Sequence, residues 1–360
     1  MKTTVNKAVL TDALKKVANF TGKSGIETMV KIEVSGENVT VSTFNKNAYS
    51  SVQVTALESS VNGLTVTTFK SLNDFIKKVK SDQITLERIS GDQLSVQAAN
   101  INYKLLADNT NSFPIAPNER YELITLDVSE YKRILTNTVY AAATSESRPV
   151  LTGVNIHKNN DTIRFVATDS HRLGLYDLKQ SIDTDINVVP AAIALEKSLK
   201  TLDKTTMTVQ IGFATNFTLV KFDDTEIHVK NLDGNYPNTS RLIPDDFKTF
   251  VSVKTKQTLE TLDVLKSVAA QDRNNVVKMK LNGKVELSTT DGINVMNAVL
   301  DGKIDGEDLT ISYSLVYMQE ALKALNETDV TINLMGAMRP FVINGNDSQV
   351  KHLILPVRMI

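Results

Sequence analysis

The chain contains no cysteine. That removes disulfides, thiolate nucleophiles and cysteine-based zinc sites together, and it fits a reducing cytoplasmic compartment. Histidine is scarce: His157, His171, His228 and His352 are the whole set, and no two are i,i+4 neighbours. Local spacing therefore builds no histidine metal site, and neither a metal nor a cofactor is expected. Long apolar runs are missing too. The longest are stretches such as LILPV at 353–357, well short of the ~20 residues a membrane-spanning helix needs. The first twenty residues alternate Lys and Asp with Leu and Val, a helix pattern and not a signal peptide. Nor is there an excess of either charge, since 40 basic and 41 acidic residues leave a net charge of −1. A DNA partner would thus need the basic groups gathered on one surface and the acids on another.

What the sequence does have is apolar material and repetition. Its 360 residues are 41% hydrophobic and 22% charged, ordinary values for a globular chain of two or three domains. Three segments read as a helix running into a strand: SLNDFIKKVKSDQITLE from 71, ALEKSLKTLDKTTMTVQ from 194 and YMQEALKALNETDVTIN from 317. Leu72, Leu195 and Met318 are 123 residues apart, as are Ile76, Leu199 and Leu322. Val79, Leu202 and Leu325 continue the series, followed by Ile84, Met207 and Val330, then Leu86, Val209 and Ile332. Offsets of four and three mark one helix face, and the later offset of two marks a strand.

A second landmark repeats more loosely. ENVTVSTFN, DTIRFVATDS and GKVELSTTDG each alternate after a turn, as the second strand of a hairpin should, and end at Asn45, Asp169 and Asp291. Phe113-Pro114 and Tyr236-Pro237 are again 123 apart. A first helix opens each unit near 7–20, 127–142 and 256–270. The expected fold is α+β: three repeated units, 1–123, 124–246 and 247–360, each with two helices packed on antiparallel sheet.

Basic residues fall on the helices, away from the apolar stripe. Lys77, Lys200 and Lys323 hold the same slot in the three second helices, with Lys197 nearby, and the first helices add Lys15, Lys16, Lys132, Arg133 and Lys266. A solvated helix face is the ordinary meaning of such lysines. Repetition adds a second meaning, because similar helices can line one surface and sum their field. Lysine–phosphate contacts read no sequence, so such a surface would hold any duplex.

Two stretches resemble catalytic motifs only superficially. TGKS at 21–24 has the end of a phosphate loop, but Val17 stands where the loop's first glycine is required. TDSHR at 168–172 places Asp169, Ser170 and His171 consecutively, and neighbours in an extended segment point to opposite faces, which prevents a triad.

Several blocks carry a family resemblance: RPVLTGVNIH and IRFVATDSHRLGLYDL within 148–178, LDGNYPNTSRLIP (232–244), DRNNVVKMKL (272–281), MGAMRPFVI (335–343) and the terminal LILPVRMI. Together they resemble the bacterial DNA polymerase III beta subunits, the sliding clamps, and the resemblance runs along the whole chain. It implies a head-to-tail homodimeric ring of three-domain subunits, with helices lining a hole around double-stranded DNA. It implies a non-catalytic part of the polymerase holoenzyme, opened by a clamp loader. The replicative polymerase subunit and other proteins would be held in a peptide cleft between the second and third domains. Carried over by position, the cleft would comprise Leu151, Thr168, Ser170, His171, Arg172, Leu173, Pro237, Arg241, Leu242, Tyr317, Pro340, Leu353, Leu355, Pro356, Val357 and Arg358. Leu, Pro, Val and Tyr would form a trough for a peptide's Leu or Phe, with Arg and His fixing its polar end. After the first helix this chain has KSGIETMVKI where the family usually carries an Arg-x-x-x-Pro-Ile-Leu type segment, which makes Lys23 the basic residue there. The subunit contact would use Phe75, Val79, Tyr103 and Leu105. Phe75 corresponds to Ser198 and Ala321 in the other repeats, so a large apolar group stands only in the copy that would need it. A small-molecule-binding or hydrolytic repeat protein using the 168–172 loop remains the alternative.

Overall fold

The computed structural model describes residues 1–90, 92–108, 112–269 and 275–358. Residues 272–274 of the DRNNVVKMKL block and the last two of the terminal block lie outside them. Six helices are found among the described residues: α1 (Lys7–Ala18), α2 (Phe69–Lys78), α3 (Val128–Thr138), α4 (Ala192–Thr201), α5 (Thr255–Ala269) and α6 (Leu315–Leu325). The second helix of each repeat begins 123 residues after the one before, at Phe69, Ala192 and Leu315.

Each helix forms because one stripe is apolar. α1 buries Leu10, Ala13, Leu14 and Val17, and Asn6 sets its start by accepting from the N–H groups of Ala8 (2.8 Å) and Val9 (3.3 Å). α2 buries Leu72 and Ile76 completely, so truncating either to alanine should cost about 2–5 kcal/mol. α6 buries Met318, Leu322 and Leu325 and ends at Asn326, whose left-handed φ of 52° closes the helix.

The strands pair antiparallel throughout the described residues, as their alternation predicts. The chain divides into two compact units, residues 1–131 with 193–231, and residues 132–192 with 232–360. The first is built on a thirteen-stranded sheet, the second on a nine-stranded and a four-stranded sheet.

Within each unit a sheet continues from one repeat into the next. Thr225–Lys230 pairs with Ala48–Thr55 in the first unit, and Val350–Ile354 pairs with Arg172–Leu178 in the second. Ala48 and Arg172 correspond under the repeat, and so do the two partner strands. Each series has a third member without such a mate. Val295–Leu300 ends the four-stranded sheet, paired with Val285–Thr290 on one side. Ile101–Asp108 pairs along its length with Gln93–Ala98 but meets Gly63–Thr68 only at Ala107 and Asp108.

Candidate functional site

The turn between strands Thr162–Thr168 and Arg172–Leu178 builds the centre of one site. Ser170 takes a positive φ of 78°, and the Asp169 carboxylate accepts from the backbone N–H groups of His171 (2.9 Å) and Arg172 (3.1 Å). Asp169, Ser170 and His171 thus lie on a tight turn and not on an extended segment. With the Asp169 carboxylate holding that turn, they form no acid–base–nucleophile set.

Arg172 is buried beneath this turn. Its guanidinium donates to Asp169 (3.1 Å) and to Glu320 of α6, and it lies between the rings of Tyr317 (4.5 Å) and Tyr140 (5.2 Å). His171 stacks on Tyr317, centroids 6.5 Å apart. Above these groups opens a cavity of about 600 Å³, lined in part by Leu151, Ser170, His171, Arg172 and Tyr317. Beside it Leu173 and Leu353 pair across strands and pack with Val166, Leu175 and Val342, and Leu355 and Tyr236 lie against that cluster. The Tyr236 hydroxyl accepts from the Thr168 N–H (3.0 Å), tying the segment that carries Pro237 to the turn.

The remaining expected positions are placed more loosely. Pro237 lines a neighbouring cavity of about 350 Å³, and Arg241 and Leu242 are exposed on the following turn. Pro340 leads into the strand Phe341–Asn344, whose Val342 belongs to the apolar cluster. The segment holding Pro356, Val357 and Arg358 is anchored by Leu355 N–H to His171 O (2.9 Å) and Val357 N–H to Ser312 O (2.7 Å). Sequence reasoning missed Asp169, Glu320 and Tyr140 as the groups that hold Arg172. Glu320 lies three residues after Tyr317 on one helix face, a spacing that could have revealed it.

Behind Arg172, the buried His352 accepts from the Tyr140 hydroxyl at Nδ1 (2.5 Å). Its Nε2 donates to the Asn137 Oδ1 (3.0 Å), the Asn137 amide being used on the Arg133 carbonyl. Burial pushes the imidazole pKa down to about 3, so it stays neutral, and burial likewise pushes the Tyr140 hydroxyl up. Gly174 is required nearby, because a Cβ there would lie 2.4 Å from the Asn137 carbonyl on α3.

The basic residues divide into two kinds. Lys15, Lys23, Lys77, Lys132, Lys200, Lys266 and Lys323 are exposed. Lys16 is buried between Asp12 (2.9 Å) and Asp203 (2.6 Å). Burial lowers its pKa, but those two hydrogen bonds outweigh it and the net shift is upward. Arg133 is bonded to Asp347. Both are matched by carboxylates, as is the exposed Lys200 by Glu196 (2.9 Å), and these three have less charge to offer a phosphate than the rest of the exposed set. Lys197 is half-buried, and its pKa is lowered by burial and by the like charges of Lys200 and Lys23. The Glu196 carboxylate, bonded to Lys200, partly offsets this crowding of three lysines. Lys77, Lys200 and Lys323 each sit in a last helical turn, where a cation also complements the helix dipole.

At the open strand edges apolar side chains meet solvent. Leu106 is 75% exposed on Ile101–Asp108, and Val295 and Val299 are 67% and 62% exposed on the other open strand. Phe75, partly exposed, packs against Tyr103 with the rings tilted and their centroids 5.1 Å apart. Val79 and Leu105 are already buried within the chain, at 6% exposure each.

Comparison with known proteins agrees with this architecture. Residues 125–238 match the family model of the DNA polymerase III beta subunit, central domain, and residues 240–358 match its C-terminal domain. The beta sliding clamp of Bacillus subtilis (strain 168) is 32% identical over 379 residues, covering 99% of this chain and 100% of that protein. The chain belongs to the beta sliding clamp family. A Staphylococcus aureus beta sliding clamp is 32% identical over 292 residues, 79% of this chain and 77% of that one. The solved sliding clamp of B. subtilis aligns with a TM-score of 0.93 at 30% identity, each chain fully covered. The DNA polymerase III beta chain of Streptococcus pneumoniae aligns at 0.93 and 27% identity, covering 99% of this chain and 100% of that one. The fold is therefore three clamp-type domains with helices packed on antiparallel sheet, and the function is that of a DNA sliding clamp. No helix among the described residues is long and apolar enough to cross a membrane.

Proposed function

We propose that two copies close head to tail into a ring around duplex DNA, the Ile101–Asp108 strand of one copy pairing with Val295–Leu300 of the other. The observation that carries this reading is the leftover pair of strands. At two repeat boundaries the corresponding strands are joined inside the chain, and the third boundary has both halves, open and apolar, at unmatched edges. An exposed apolar edge strand invites pairing with another chain. Phe75 and Tyr103 stand at the rim of that contact, and Val79 and Leu105 would support it from beneath.

In this reading the repeats span 1–123, 124–246 and 247–360. The exposed lysines of the helices, with Lys197, face the phosphates, and the Arg172 cavity with the Leu173–Leu353 cluster receives partner peptides from the replicative polymerase, the clamp loader and other cytoplasmic replication proteins. The chain itself catalyses nothing. A reaction centred on 168–172 has less support, because the Asp169 carboxylate is spent on two backbone N–H groups and Arg172.

The test is gel filtration of the protein loaded by its clamp loader on nicked circular DNA, before and after one cut in the circle. Protein should stay with intact circles at a salt concentration that strips it from short linear duplex, and a single cut should release it. Equal retention on cut and uncut circles would overturn encirclement.

A further inference from the structure

We propose that the junction of the first two repeats holds a second docking pocket, which takes a peptide segment carrying one bulky apolar side chain beside carboxylates. The repeat brings the pocket into view. Residues 44–49 correspond to 168–173, the turn that builds the Arg172 cleft, and Phe113-Pro114 corresponds to Tyr236-Pro237. In the first unit the same pieces converge. Phe44, Tyr49 and Pro114 line a cavity of about 200 Å³ together with Ile115, Pro117 and Phe217. Phe113 packs edge-on against Phe44 (5.0 Å) and Tyr49 (6.4 Å), reproducing with aromatic rings the small apolar cluster found beneath the Arg172 turn.

The differences decide the occupant. Ala48 stands where Arg172 stands in the other copy, so no guanidinium among the described residues lines this cavity. The cation packed behind it is Lys31, whose ammonium lies over the far cluster ring, Phe113 (5.9 Å), and does not line the pocket. Among the described residues, the charged side chains that line the opening are two lysines, Lys46 and Lys230, with no carboxylate beside them. An apolar floor beneath a basic rim is complementary to an apolar anchor flanked by acids. The volume lies below the ~300–1,000 Å³ of ordinary small-molecule sites and suits a single large side chain. Ile115 is 90% exposed at its mouth, which gives the anchor an apolar wall that solvent now covers. The reading depends on this junction alone and not on the peptide role of the Arg172 cleft.

The experiment uses the full-length protein and a fluorescein-labelled peptide, Gly-Gly-Phe-Asp-Asp-Glu, followed by anisotropy at low salt. A control peptide carries Asn and Gln in place of the acids. Ile115→Asp, which alters a side chain almost wholly in solvent, should weaken saturable binding by about tenfold or more. Lys230→Glu, or the uncharged control peptide, should weaken it by about threefold. Arg172→Ala should leave it unchanged, and melting temperatures should show that all variants are folded. No saturable binding at millimolar protein, indifference to Ile115→Asp, or loss with Arg172→Ala would each overturn the proposal, the last by placing the peptide in the other cleft.

Discussion

Arg172 meets two carboxylates at its edges and two tyrosine rings on its faces. This fixes a guanidinium that would otherwise sweep through many rotamers, and fixing a binding group in advance lowers the entropy lost when a ligand arrives. Arg172→Ala should therefore weaken a family-type peptide, Gln-rich and ending in Leu-Phe, by at least ~1–2 kcal/mol, roughly tenfold in an anisotropy titration. Lys204→Ala, an exposed change after α4, should leave that affinity alone. If both variants bind alike, the peptide lies elsewhere. His352 makes a separate claim about acid. Its pKa is depressed in the folded chain, so the unfolded chain takes up a proton first as pH falls below the ordinary histidine value near 6.5. The stability it confers is complete above that value and is lost as pH drops towards its folded pKa of about 3. Between pH 6.5 and pH 5 the loss should approach ~2 kcal/mol, at about 1.4 kcal/mol per unit. Urea melts of His352→Gln and the parent should converge as pH falls. Parallel curves would show that another group drives the acid sensitivity.

Among elements, the open strands behave differently from the covered ones. Leu106→Asp or Val299→Asp puts a charge on an edge that is exposed in the single chain, so neither should alter folding of that chain. Either should shift the protein towards monomer by sedimentation at micromolar concentration, and Phe75→Ala should act in the same direction with a smaller loss of apolar area. A dimer indifferent to all three would move the contact to another face. The helices were legible in the sequence because burial at Leu72, Ile76, Leu195, Met318 and Leu322, with Leu199 half-buried, follows a period that composition cannot mimic. Joining of sheets across repeats was not legible, since Thr225 and Ala48 lie far apart in sequence and antiparallel alternation does not name its partner. The cleft was legible only in part. His171, Arg172 and Tyr317 stand in recognisable blocks, whereas Glu320 and Tyr140 reach Arg172 from distant elements. Lys16 was read as a surface cation because nothing near it in sequence announces Asp203.

At the scale of the whole molecule, a near-zero net charge and a DNA partner become compatible once binding is topological. Simple contact with phosphates would lose affinity with a slope near −0.9 in log salt per phosphate neutralised. Apolar strand edges lose nothing comparable when salt is added, which is why the circular template should keep its protein where the linear one does not. The joined sheet of the first unit has a further consequence, for the chain as it is made. Its strand Ala48–Thr55 waits for Thr225–Lys230, and the unit's two stretches are separated by residues 132–192. At about 5–20 residues per second, the roughly 100 residues between 131 and 231 take about 5–20 s to emerge from the ribosome. During that interval the nascent amino-terminal sheet carries a bare edge, and its protection falls to whatever chaperone or neighbouring chain reaches it first.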